Sequence, residues 1–143
     1  MHTPPDWNLE RFVMAQNPVY ADVCAELAAG RKRTHWMWFV FPQLKALGRS
    51  STAMFFGLDG MAEAAAYWQH PVLGERLRAC ARMVLDVPGT DAPRFFGSPD
   101  DLKLCSCMTL FEIVAPEEPV FGEVLERYFN SVRDRATVAL VQG

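Results

Sequence analysis

Apolar residues recur at helical spacing along nearly the whole chain, and no stretch alternates apolar and polar positions for long enough to read as a half-buried strand. Leu9, Phe12, Val13 and Gln16 share one face of a predicted helix over 9–16, with Asn8 as its cap and Asn17-Pro18 as its stop. A second helix over 19–29 repeats Tyr20, Val23, Cys24 and Leu27 and ends at Gly30, which suits a left-handed C-cap. Residues 35–41 are richer in aromatics than a typical helix and so open to either assignment. With no partner strand nearby, they are expected to form a short buried helix capped by Thr34 and ended before Pro42. A turn over 43–47 closed by Gly48 comes next, then a short helix through Phe56 capped by Ser50 or Ser51.

Asp59 is placed to cap an alanine-rich helix over 60–69 with Met61, Ala64, Ala65 and Trp68 inward, ended by His70-Pro71. The segment 72–87 carries its apolar stripe on Leu73, Leu77, Cys80, Ala81, Val84 and Leu85, with Glu75, Arg78 and Arg82 toward water. One helical turn is expected over 91–96. Ser98-Pro99-Asp100-Asp101 is a strong start signal, combining a Ser cap, Pro at the first helical position and carboxylates near the positive helix end. The helix it opens, over 99–115, is apolar on nearly every side and is therefore expected at the centre of the fold. Its polar residues Asp100, Lys103, Ser106 and Thr109 fall at i+3 steps and form one ridge. Helices over 120–130 and, capped by Asp134, up to Gln142 complete the chain. The expectation is one all-α domain over 1–143, built of seven or more short helices around the helix at 99–115.

Charge singles out one stretch. Residues 31–58 contain Arg31, Lys32, Arg33, Lys45 and Arg49 and no Asp or Glu, a local +5 against −8 for the remainder of a chain whose net charge is −3. The same stretch holds two of the four Trp. Guanidinium forks take phosphate or carboxylate, and indoles stack on rings, so this pairing suits an anionic, nucleotide-like ligand. Arg49 precedes Ser50, Ser51 and Thr52 at an expected helix start, an arrangement of hydroxyls, amides and a cation that fits an anion; a plain capped turn with a surface Arg fits as well. Lys103 and Ser106 on the central helix are expected to approach the same point, since a buried ammonium needs a partner. Trp36 would cover the ligand's ring, and His35, with an unperturbed pKa near 6.5, is the candidate general acid or base for hydrolytic or glycosidic chemistry. The alternative for His35 is a hydrogen-bonded core residue. An alternative for the whole stretch is an adaptor surface for an acidic protein partner.

Other classes are weakened by what the sequence lacks. Neither glycine-rich phosphate motif is present, so no cofactor is implied. Cys24, Cys80, Cys105 and Cys107 have apolar neighbours and no Cys-x-x-Cys spacing, and His2, His35 and His70 are scattered, so reduced thiols and no metal are expected. A pI of about 5.6 makes nucleic acid the weaker partner. No apolar run reaches the 18 or so residues that span a bilayer, and the start, MHTPPDWNLERF, has no signal-peptide pattern, so a cytoplasmic location is expected. The pattern sets no oligomeric state.

The blocks GRKRTHWMWFVFPQLKALGRSS, HPVLGERL, FGSPDDLKLCSCMTLF and the N-terminal RFVMAQ, in this order, resemble the bacterial and fungal family known as domain of unknown function 1810. The resemblance covers almost the whole chain and implies a mainly helical domain with no assigned activity. Such proteins are sometimes labelled calpastatin-like, but nothing in this chain resembles that inhibitor's disordered repeats. Cys105 and Cys107 stand where members of the family often carry Ser.

Overall fold

A computed structural model describes residues 7–142. Readings placed on His2 and the first residues of the chain lie outside them. Ten α-helices follow one another: α1 (Glu10–Gln16), α2 (Tyr20–Ala28), α3 (Met37–Val40), α4 (Ser51–Phe56), α5 (Met61–Gln69), α6 (Leu73–Asp86), α7 (Ala92–Phe96), α8 (Asp100–Val114), α9 (Val120–Phe129) and α10 (Arg135–Gln142), with a 3₁₀ turn at Lys45–Leu47. Among the described residues extended pairing is limited to one isolated parallel bridge, Leu44 to Leu58. None of these helices is long and apolar enough to cross a membrane.

The core forms around α8, as the all-round apolar pattern predicts. Leu104, Cys107, Met108, Leu110 and Phe111 are fully buried, and α5, α7, α9 and α10 pack around them. Phe111 sits between the rings of Tyr67 (5.6 Å) and Phe121 (5.9 Å). Helix α6 buries Leu73, Leu77, Cys80, Ala81 and Val84, the face read from its periodicity. Within residues 35–41 only Met37–Val40 is helical, a single turn and shorter than expected, and none of the seven forms a strand. Trp36, Met37, Val40 and Phe41 are all buried, so the aromatic richness reflects core packing.

Several helix starts use different chemistry from the expected caps. Ser50, Asp91 and Asp134 do cap, accepting from the amides of Ala53, Arg94 and Thr137. Thr34 instead gives its hydroxyl to Glu26, and α3 begins at the Trp36 cap position without a side-chain cap. Helix α8 starts one residue late, with Pro99 rather than Ser98 in the cap position, and the Asp101 amide donates to the Gly97 carbonyl. Helix α1 has Leu9, not Asn8, in the cap position.

The inward face of α5 differs from the expected one. Glu63, Ala64 and Tyr67 are buried, whereas Met61 is exposed and Trp68 half-buried. The reason is polar. Glu63 forms a 2.9 Å ion pair with Arg11, both side chains at least nine-tenths buried, and also accepts from the Asp59 amide. Arg11 further donates to the carbonyls of Trp7, Asn8, Phe55 and Gly57, so one guanidinium ties α1 to the α4–α5 connection. Gln16 donates to Tyr67 Oη and the Phe39 carbonyl, which fixes Tyr67 toward the centre.

Candidate functional site

The chain between α2 and α4 is held at both ends before any ligand is considered. At the first end, Glu26 accepts from the Arg33 amide (2.6 Å), the Thr34 amide (3.0 Å), the Thr34 hydroxyl (2.6 Å) and Trp36 Nε1 (3.0 Å). Burial pushes the Glu26 carboxyl up, but the hydrogen bonds from the Thr34 hydroxyl, the two amides and the indole outweigh it and bring it down to about 2. At the second end, the Leu58 amide donates to Gln43 O (2.9 Å) and the Lys45 amide to Leu58 O (2.7 Å). The segment between these anchors presents Arg49 and Ser50 along one wall of a cleft.

That cleft has a volume of about 550 Å³ and lies between the start of α4, the first half of α8 and the start of α10. Its polar lining is Gln43, Arg49, Ser50, Lys103, Ser106 and Asp134; Leu47, Ala53, Pro99, Leu102 and Ala136 supply the apolar part. Four of the residues singled out in the sequence, Arg49, Ser50, Lys103 and Ser106, are therefore brought to one place. Arg49 is exposed and its guanidinium has no hydrogen-bond or ion-pair partner among the described residues. Lys103 Nζ stands 3.7 Å from Asp100 Oδ1 and 5.3 Å from the centroid of Trp38. The Ser106 hydroxyl donates back to the Leu102 carbonyl (3.2 Å), which leaves its lone pairs toward a donor.

The other expected residues stand apart. Trp36 is buried at 1% exposure and bonded to Glu26, so its ring offers no face to a ligand in the cleft. The half-buried Trp38 is the indole that approaches Lys103. His35 is exposed, packs 6.4 Å from Trp38 with a 32° tilt, and does not line the cleft. Ser51 is exposed on α4 outside the lining. The expected seat of amides at the α4 start is reduced as well, because Ser50 Oγ already accepts from the Ala53 amide and α4 is only six residues long.

Two features were not visible in the sequence. Lys32, counted among the cations of the basic stretch, is buried: its side chain is 6% exposed, pairs with Asp100 Oδ2 at 2.8 Å and lies over Trp36. Asp134 joins the cleft wall, so the cleft carries mixed charge instead of an uncompensated positive one. Asp134 was legible only as a helix cap. Its second role depends on how α10 folds back on α8. Among the described residues no group of three or more His, Cys, Asp or Glu is placed to hold a metal ion.

Fold and site together define a small all-α protein with a mixed-charge cleft where α4, α8 and α10 meet. The chain belongs to the protein family of unknown function DUF1810, whose profile matches residues 6–141. It is similar to the crystal structure of the conserved hypothetical protein Rv1873 from Mycobacterium tuberculosis, at 50% identity and a TM-score of 0.95, over 97% of this chain and 99% of that one. No curated protein matches the chain.

Proposed function

We propose that the cleft between α4, α8 and α10 binds an anionic, phosphate-bearing small molecule of nucleotide-like size. The observation that carries this reading is the meeting of Arg49 and Lys103, distant in sequence, in one concavity with the hydroxyls of Ser50 and Ser106. Arg49 has no carboxylate partner among the described residues, so an incoming anion displaces only water from it. The volume of about 550 Å³ lies within the range of small-molecule sites. The reading is one of binding: with His35 outside the lining, hydrolytic or glycosidic chemistry at that imidazole is not part of it.

A melting-temperature screen of sugar phosphates, mononucleotides and dinucleotides tests the proposal, since a ligand at 100 times its Kd stabilises by about 2.7 kcal/mol. Arg49→Ala is expected to weaken the best hit by about tenfold, the low end for a charge-assisted contact because the site is exposed. A screen without hits, or a hit indifferent to Arg49→Ala, overturns the reading. One observation favours docking of a protein partner instead: Met54 and Phe55, next to each other on α4, are 49% and 58% exposed. Loss of a captured partner on Phe55→Ala, with Arg49→Ala silent toward small anions, is the result that reading requires.

A further inference from the structure

We propose that the cleft selects phosphorylated polyols, such as sugar phosphates and ribonucleotides, with Asp134 accepting hydrogen bonds from their hydroxyls while Arg49 and Lys103 hold the phosphate. This rests on the anion-binding reading above and narrows it to a ligand class.

Asp134 is fixed in place by its own helix. Its amide donates to Thr109 Oγ1 on α8 (3.0 Å), and its Oδ2 accepts from the Thr137 amide (2.9 Å) and the Thr137 hydroxyl (2.6 Å). Thr137 is fully buried, so this cap is anchored from below. Oδ1 has no hydrogen-bond partner, and no cation pairs with the carboxylate among the described residues. A cleft that took a bare anion would gain nothing from such a charge, which repels phosphate. A ligand that brings an anion for one side and hydrogen-bond donors for the other satisfies both.

The rest of the wall favours hydroxyls as those donors. Leu47, Ala53 and Leu102 offer apolar surface to the C–H faces of a sugar, and Ser50 and Ser106 offer neutral hydroxyls to its edge. An ammonium group would also answer Asp134. In a cleft of this size, however, it would sit near Lys103 and Arg49, where like charges repel.

The test is titration calorimetry of the whole protein with ribose 5-phosphate, glucose 6-phosphate, methyl phosphate and phosphoethanolamine. Asp134→Asn keeps the helix cap, because Asn caps about as well as Asp, yet removes the charge; Asp134→Ser also caps and is too short to reach the ligand. The wild type is expected to bind one or both sugar phosphates at least about tenfold tighter than methyl phosphate, and both variants to reduce that ratio to about two or less. Binding of methyl phosphate should be unchanged or tighter in Asp134→Asn. Equal affinity of the wild type for all phosphates, parallel weakening of every probe by the variants, or preference for phosphoethanolamine overturns the proposal. Should both variants fail to fold, the wild-type ratio alone decides. Methyl phosphate binding that depends on Arg49 but shows no sugar preference leaves the anion site standing and defeats this inference, whereas absence of all phosphate binding defeats both.

Discussion

Replacing Glu26 by Gln keeps the side chain's volume and one carbonyl acceptor but removes its charge, and so isolates what the carboxylate contributes to holding residues 33–36. Three of the four donors converge on Oε1, which glutamine retains as a neutral acceptor; the Thr34 hydroxyl must turn to accept from the new amide instead of donating to Oε2. Charge-assisted hydrogen bonds are roughly twice as strong as neutral ones. The carboxyl falls from 4.5 to about 2 in the folded protein, a difference of roughly 3 kcal/mol between its protonation states. Because the carboxylate is only partly shielded from water, about 1 to 2 kcal/mol is the expected loss at pH 7, or a melting shift of roughly 3 to 8 °C. A carboxyl depressed on folding contributes fully above its unfolded value of 4.5 and loses that contribution as pH falls through about 2. The assay is urea denaturation of both proteins at pH 7 and pH 3, and the gap should shrink to roughly half or less at the lower pH. Equal midpoints at pH 7, or an undiminished gap at pH 3, refute the role assigned to Glu26.

Phe111→Ala should cost about 3 to 5 kcal/mol in denaturant titration, since the ring is fully buried between Tyr67 and Phe121; a near-neutral result removes α8 from the centre of the fold. Gly74→Ala drives a Cβ into the Trp68 backbone carbonyl across the α5–α6 turn and should destabilise by at least about 1 to 3 kcal/mol, whereas Gly60→Ala, with open space around it, should stay near neutral. In a native thiol titration at pH 8 the half-buried Cys24 should react first. Cys80, pushed up to about 12 by burial, and Cys107, raised well above the usual thiol value by complete burial, should react only on unfolding; equal rates for Cys24 and Cys80 contradict that order.

Helix order was legible in the sequence because the 3.6-residue apolar period is strong in α6 and α9, because α8 is apolar on nearly every side, and because Gly and Pro mark the breaks. The capping roles of Ser50 and Asp134 were legible for the same local reason, whereas Asp91 was read as part of the turn it caps. What failed was long-range pairing of polar groups. Glu63 reads as a solvent residue on α5 until Arg11 arrives from α1, and that pair turns the helix so that Tyr67 rather than Trp68 faces in. Glu26 and Lys32 look like ordinary surface charges, yet one holds the Trp36 indole and the other is buried against Asp100. Trp36 and Trp38 could not be told apart by spacing alone; the Glu26 hydrogen bond decides which is buried. The meeting of Arg49 with Lys103 was foreseeable from charge asymmetry, while the carboxylate of Asp134 in the same wall required the path of α10.

Titrating a sugar phosphate into isotope-labelled protein while following backbone amide shifts is the sharpest test of the proposed binding of a phosphate-bearing ligand in the cleft. Binding in the cleft gives saturable shifts confined to residues 43–53, 99–106 and 134–137. Shifts spread over the exposed cations Arg31 and Arg33, or no saturable shift at millimolar ligand, contradict it.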